Sequence, residues 1–209
     1  MLEFRDLAKG ETRIILARHG AHKDNVLTPE AVELCHKTGA ALEEPVSFFD
    51  FVFSSPSPRA KATATAIIEG MKDDSPPEIS EVPELGDLSS TDPELMARVK
   101  AVCAELGLSG DAGFATVMYD QKYPDFYRAI ESRGRETADW LRTTAKDHIG
   151  ETDLATTHGV ARVENALQIL RGETIHVPER LARNCEVIEL IINASTGELV
   201  EENWLDIAA

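Results

Sequence analysis

The apolar runs along the chain are short. Arg13–Ala17 (RIILA), residues 48–54 (FFDFVFS), 153–157 (DLATT) and 186–192 (EVIELII) are rich in β-branched and aromatic side chains. Runs of this length and composition predict buried strands. The stretches between them carry helix signals. Thr28-Pro29-Glu30 supplies an N-cap hydroxyl, a proline for the first turn and a carboxylate at the positive helix end, so a helix is expected from there to about Glu43. An alanine-rich helix is expected over 58–70, closed by Gly70. Asp92-Pro93-Glu94 repeats the start signal for a helix ending near Gly107. A long helix follows over about 124–147, and another over 160–170 stops at Gly172. Ala194-Ser195-Thr196-Gly197 reads as a turn into a last strand near Glu198–Trp204.

Strands that alternate with helices predict a three-layer α/β/α sandwich around a mainly parallel sheet. The segment from Gly86 to about Gln121 breaks the alternation and reads as a small cap insertion (about 86–121) on a single domain spanning 1–209. Residues 73–77 and 109–113 read as surface loops.

Charge narrows the partners. Lys and Arg number 21 against 37 Asp and Glu, a net 21 − 37 = −16. Such a field repels nucleic acid and anionic membranes, and neither is expected as a partner. It does not repel a small anion held by local Arg and His, because distant charge is screened over about 10 Å. No apolar stretch approaches the roughly 20 residues needed to span a bilayer, and Met1–Gly10 lacks the apolar run of a signal peptide. Cys35, Cys103 and Cys185 are far apart and form no C-x-x-C pair. They read as buried reduced thiols, which suits a reducing, cytoplasmic location. A homodimer is compatible with the sequence, which does not fix the oligomeric state.

Three polar clusters share one kind of position. Arg18-His19-Gly20 follows the first strand, Arg59 opens a helix just past the second, and His158-Gly159 follows the strand ending at Thr157. Ligands of open α/β sheets bind outside the carboxyl ends of the strands. If those strands are parallel neighbours, two Arg and two His converge in one pocket beside helix N-termini. Guanidinium groups match phosphate oxygens, a neutral His can be a nucleophile, and a second His can stabilise charge in transfer.

In this order and spacing the residues resemble the histidine phosphatase superfamily, also called phosphoglycerate mutase-like. Arg18-His19-Gly20 with Asn25 is similar to its signature, and Ser55-Pro56-Ser57-Pro58-Arg59-Ala60 with Thr63-Ala64 to its second block. Pro83-Glu84-Leu85 resembles the segment bearing the proton-donating carboxylate, Thr157-His158-Gly159 the third block, and Asn184–Val187 the late strand. The resemblance implies that His19 attacks phosphorus and becomes phosphohistidine. Arg18, Asn25, Arg59 and His158 would grip the phosphoryl oxygens. Glu84 would protonate the leaving oxygen and then activate water, with Asp87 the reserve candidate. It implies a small phosphorylated substrate and no cofactor or metal.

Departures bear on the substrate. Ala21 stands where the family often has Glu or Gln, and His22 where a small residue is common. Leu85 and Gly86 follow Glu84, without the Arg found beside the mutase carboxylate, which favours a phosphatase over a phosphoglycerate-type mutase. A protein phosphohistidine phosphatase is a further alternative, though compact members lack a cap. A non-catalytic phosphate-binding protein ranks last. His19 and His22 are three apart, but no third ligand completes a zinc pattern. His36, His148 and His176 have no companions in sequence and are expected at the surface or in the cap. Tyr119, Tyr123, Phe126 and Tyr127 are candidates to line a substrate cap, but the helical spacing of Tyr123, Phe126 and Tyr127 suits plain packing equally well, and packing is favoured.

Overall fold

A computed structural model describes residues 2–72, 75–160 and 162–207, with nothing stated for the Ser90 side chain. Asp73 and Asp74 of the expected surface loop fall outside them. From the amino end, β1 (Glu11–Arg18) leads into a hairpin of β2 (His22–Lys23) and β3 (Val26–Leu27), then α1 (Pro29–Val46). β4 (Phe51–Ser54), α2 (Pro58–Met71) and β5 (Ile79–Glu81) follow. A 3-10 turn over Pro83–Leu85 precedes α3 (Leu88–Thr91), α4 (Pro93–Glu105) and α5 (Gly110–Met118). The chain closes with α6 (Pro124–Asp147), β6 (Thr152–Thr157), α7 (Val163–Leu170), β7 (Val187–Asn193) and β8 (Leu199–Leu205).

Six strands form one sheet in the order β5-β4-β6-β1-β7-β8. The first four are mutually parallel, and β7 and β8 join antiparallel. β1 is buried at every position. Its side chains alternate between two cores: Ile15 and Ala17 pack with Leu42 of α1 and Ile67 of α2, while Ile14 and Leu16 pack with Leu141 of α6 and Leu167 of α7. Each such fully buried aliphatic side chain contributes about 1.5–3 kcal/mol. This is the expected α/β sandwich around a mainly parallel sheet.

Gly70 does not end α2 as the sequence suggested. The helix continues to Met71, and Lys72 caps it at φ 55°. Gly70 faces α1: a Cβ there would lie 2.2 Å from the His36 carbonyl oxygen, and one on Gly39 would lie 1.9 Å from that of Ile67. The two glycines let the helix backbones touch. α1 also outruns Glu43, passing through Pro45 to Val46 before Ser47 turns at φ 66°.

Residues 88–118 form three helices with a core of their own. Leu95, Val99 and Cys103 of α4 and Ala115, Val117 and Met118 of α5 pack on Phe126 and Ile130 of α6. The expected loop at 109–113 is the start of α5. Tyr119 and Phe126 are buried in this core, and the Tyr127 hydroxyl donates to Ile175 O at 2.9 Å. Among the described residues, no helix is long and apolar enough to cross a membrane.

Candidate active site

β4, β6 and β1 are adjacent and parallel, so the segments that follow them meet at one end of the sheet. There a cavity of about 320 Å³ opens, lined by Arg18, His19, Arg59, Asp87 and His158 on the sheet side. Leu88 of α3, Met96 of α4 and Phe114 and Met118 of α5, together with Lys100, line the rest.

His19 leaves β1 with its amide donating to Thr157 O at 2.9 Å, and Gly20 N donates to the Thr63 hydroxyl at 2.9 Å. Behind this loop the Cys185 amide donates to Arg18 O at 3.2 Å, and the Cys185 and Cys35 sulfurs lie 3.1 Å apart. These two thiols are 150 residues apart in sequence. A Cβ on Gly20 would press on Cys185 Sγ, Ala31 and Leu27 at 3.0–3.1 Å, so a side chain there would have to push these neighbours aside.

His19 Nδ1 lies 2.9 Å from Gly20 O. A carbonyl only accepts, so Nδ1 carries the proton and Nε2 keeps its lone pair. Arg59 Nε–H points at that lone pair from 3.2 Å. Burial, and beyond it the charges of Arg59, Arg18 and His22, lower the His19 pKa to about 4 although its bond to Gly20 opposes this. The ring is neutral at pH 7.

Arg59, in the first turn of α2, is the hub. Besides His19 it donates to Asn25 Oδ1 at 2.5 Å, Asp87 Oδ2 at 2.5 Å and His158 Nδ1 at 3.1 Å. Asn25 reaches it from a tight two-residue hairpin in which Asp24 and Asn25 both hold positive φ, 51° and 66°. Asp and Asn tolerate that region better than most residues. Because Arg59 only donates, His158 Nδ1 accepts and Nε2 carries the proton, donating to the Ser55 hydroxyl at 2.8 Å. Burial holds the His158 imidazole well below its ordinary pKa, against the pull of Asp87. The His158 ring centroid is 4.9 Å from that of His19, and the His22 centroid is 5.2 Å from it.

Arg18 donates to Ala182 O and to Asp111 Oδ2, the latter at 2.6 Å. Glu164 fixes the Ala182 segment by accepting from its amide at 2.7 Å. Burial raises the Glu164 pKa to about 7. Among the described residues, the buried Arg18 Nε has no hydrogen-bond partner. Gly159 allows the guanidinium this close: an added Cβ would lie 3.0 Å from Arg18 Cζ and Nε. The next residue, Val160, is held at φ 59°, a strained value for a β-branched side chain.

Glu84 and Asp87 part company. Glu84 is exposed and its carboxylate does not line the cavity, whereas Asp87 does. Three donors remote in sequence set this orientation. Thr137 donates to Glu84 O at 2.8 Å, Thr157 to Leu85 O at 2.9 Å and the buried Arg162 to Gly86 O at 2.6 Å. With these carbonyls pinned, Leu85 goes into the core and Glu84 out to water. Asp87 then caps α3, accepting from Ser89 N at 3.3 Å and the Ser89 hydroxyl at 2.5 Å. Burial opposes its ionisation, but the Ser89 hydroxyl and the Arg59 guanidinium outweigh burial and hold its carboxyl well below the usual range.

The site therefore brings together Arg18, His19, Asn25, Arg59 and His158, and takes Asp87 rather than Glu84 as its carboxylate. Ser55, Asp111, Arg162 and Glu164 were not singled out from sequence. Ser55 stood inside the S-P-x-x-R block, and the others carried no local signal. An imidazole whose Nε2 carries no proton, two guanidiniums and a carboxylate can support phosphoryl transfer to nitrogen and acid–base chemistry at the leaving oxygen, once a substrate draws Arg59 Nε off that lone pair.

Solved structures share this fold. The chain is similar to phosphoglycerate mutase from Bacillus anthracis str. Sterne, with TM-score 0.67 and 14% identity over 96% of this chain and 95% of that one. It is similar to alpha-ribazole phosphatase from Shigella flexneri, with TM-score 0.61 and 19% identity over 94% and 97%. Phosphoserine phosphatase from Entamoeba histolytica gives TM-score 0.60 and 18% identity over 95% and 100%. At such identities the likeness speaks to fold alone. No curated protein matches in sequence. Residues 10–205 match the sequence profile of the Histidine phosphatase superfamily (branch 1), nearly the whole chain, and the chain belongs to that superfamily.

Proposed function

We propose that this protein hydrolyses a small phosphomonoester through a phosphohistidine on His19. One observation carries the reading: a neutral imidazole with its Nε2 lone pair free of hydrogen faces a cavity shared with Arg18, Arg59, Asp87 and His158. Membership in a superfamily of phosphatases and mutases supports it.

An incoming phosphoryl dianion draws Arg59 away from Asp87 and brings negative charge beside it. Both changes raise the carboxyl pKa, so Asp87 takes up a proton as substrate binds. His19 Nε2 attacks phosphorus in line with the leaving oxygen, and the P–O bond breaks as the P–N bond forms. Asp87 gives its proton to the departing alkoxide. The resulting Asp87 carboxylate then takes a proton from water as that water attacks phosphorus, and His19 is released. Arg18, Arg59, Asn25 and His158 stabilise the equatorial oxygens throughout. These groups offset the phosphoryl charge without a metal.

The cap residues Leu88, Met96, Phe114 and Met118 over the cavity favour a small ester over a phosphohistidine borne on a protein. Lys100, also lining the cavity, favours a second reading in which a second anionic group is held, as a phosphoglycerate-type mutase requires. Three free thiols support a reducing, cytoplasmic location. The test is hydrolysis of an aryl phosphate in chelator by wild type and His19→Ala, with phosphoglycerates assayed in parallel. Turnover by wild type and none by the variant supports the reading. Phosphoglycerate interconversion with negligible hydrolysis replaces it with the mutase reading.

A further inference from the structure

The far end of the sheet holds a second polar cluster. His148 caps the carboxyl end of α6, and the chain turns through Gly150 at φ 86° to bring Glu151 back beside it. Asp153 follows at the start of β6. Its Oδ2 lies 2.7 Å from His148 Nδ1, and Glu151 Oε2 lies 3.8 Å from the same nitrogen. One ligand atom from each of the three residues falls within 4.8 Å of the others. The His148 ring packs tilted by 30° against Phe51, with centroids 4.1 Å apart, and stacks on Phe53 at 5.7 Å. The sequence reading of His148 as a lone surface or cap residue is corrected by this geometry.

Two observations mark the cluster as incomplete. Asp153 is wholly buried, yet among the described residues its Oδ1 has no hydrogen-bond partner, and neither does the buried Glu151 Oε2. Buried carboxylate oxygens without donors are costly, and such orphans point to a water or an ion. Charge is also unbalanced: Asp50 stands near Asp153, its Oδ2 accepting from Thr152 N at 2.7 Å, so one imidazole faces three carboxylates. Burial pushes the Asp153 carboxyl up to about 6, with Glu151 and Asp50 adding to this and His148 opposing it.

We propose that His148, Glu151 and Asp153 bind one divalent first-row transition ion, of which zinc is the probe. An imidazole with two carboxylates selects this class over calcium or magnesium, which take oxygen ligands. Ligands at about 2.0–2.2 Å from zinc need Glu151 to move inward, and its partly exposed side chain is free to do so. On binding, His148 ligates through Nδ1 as a neutral imidazole with its proton on Nε2: the neutral Nδ1–H tautomer exchanges its proton to Nε2 through solvent, the imidazolium releases its Nδ1 proton to solvent, and the metal takes that place between nitrogen and carboxylate. Water completes the coordination. The ion ties the end of α6 to β6. Five residues of strand, about 16 Å, separate Asp153 from His158, so the site stands apart from the phosphoryl chemistry.

The test is calorimetric titration of zinc into the full chain after chelator treatment and dialysis, with thermal unfolding alongside. One equivalent should bind and raise the unfolding temperature. Glu151→Gln, a partly exposed position that should fold normally, should weaken that equivalent at least tenfold, and Asp153→Asn should do the same. Glu151→Gln should keep its hydrolysis of aryl phosphate, which separates this proposal from the phosphatase reading. His19→Ala/His22→Ala should bind zinc as the wild type does. No zinc binding by wild type overturns the proposal. So does binding that survives Glu151→Gln, or binding lost only when the active-site imidazoles are removed.

Discussion

Replacing Asp87 by Asn tests which carboxylate serves the leaving group. Asn is a good N-cap, so α3 keeps its start and the fold should hold. What is lost is the acid–base group 2.5 Å from Arg59. General acid–base catalysis contributes about 10²–10⁴ in rate. That is about 2.7–5.4 kcal/mol of barrier at 1.36 kcal/mol per tenfold. For an alkyl phosphate, whose alkoxide must be protonated as it leaves, kcat/KM should fall by that factor. For p-nitrophenyl phosphate, whose leaving group needs little protonation, it should fall by no more than about tenfold. Glu84→Gln should change neither by more than about twofold, because the exposed carboxylate lies outside the cavity and only its backbone carbonyl is used. Steady-state assays on both substrates decide it. A hundredfold loss in Glu84→Gln with Asp87→Asn intact would refute the reasoning.

Three further expectations follow from the geometry. Gly159→Ala puts a Cβ 3.0 Å from Arg18 Nε and displaces the guanidinium, so product inhibition by inorganic phosphate should weaken about tenfold or more; unchanged inhibition would remove Arg18 from phosphate binding. Gly39→Ala forces α1 off the Ile67 carbonyl, at about 1–3 kcal/mol or more, and should lower the unfolding temperature by several degrees, whereas an unchanged value would contradict the close helix contact. His19 should titrate near 4 by NMR rather than near 6.5. Because the unfolded chain then binds the extra proton first, the His19 contribution to stability is present above about 6.5 and is lost as pH falls toward 4.

The sheet was legible because its strands are short apolar runs and its helices carry Pro-based start signals. The convergence of Arg18, His19, Arg59 and His158 followed from where those residues stand relative to strand ends. The proton-donor segment was less legible. Glu84 and Asp87 are both acidic, and the choice depends on donors from Thr137, Thr157 and Arg162 that turn one outward and the other in. The same holds for Gly70, which reads as a helix stop but is a contact with α1, and for Asp111, whose apparent loop is the first turn of a helix reaching Arg18. The β2–β3 hairpin escaped because its strands are two residues long and its turn is Asp-Asn rather than the usual Asn-Gly. The His148 cluster was hidden by a turn that no periodicity announces.

The central claim is that His19 carries the phosphoryl group. Rapid-quench labelling with a phosphorus-labelled aryl phosphate in chelator, followed by peptide mapping, tests it most directly. Wild type should carry an acid-labile, base-stable phosphoryl label on His19, built up further in Asp87→Asn if dephosphorylation slows more than phosphorylation, and absent from His19→Ala. Turnover without any label, or a label on another residue, would contradict it.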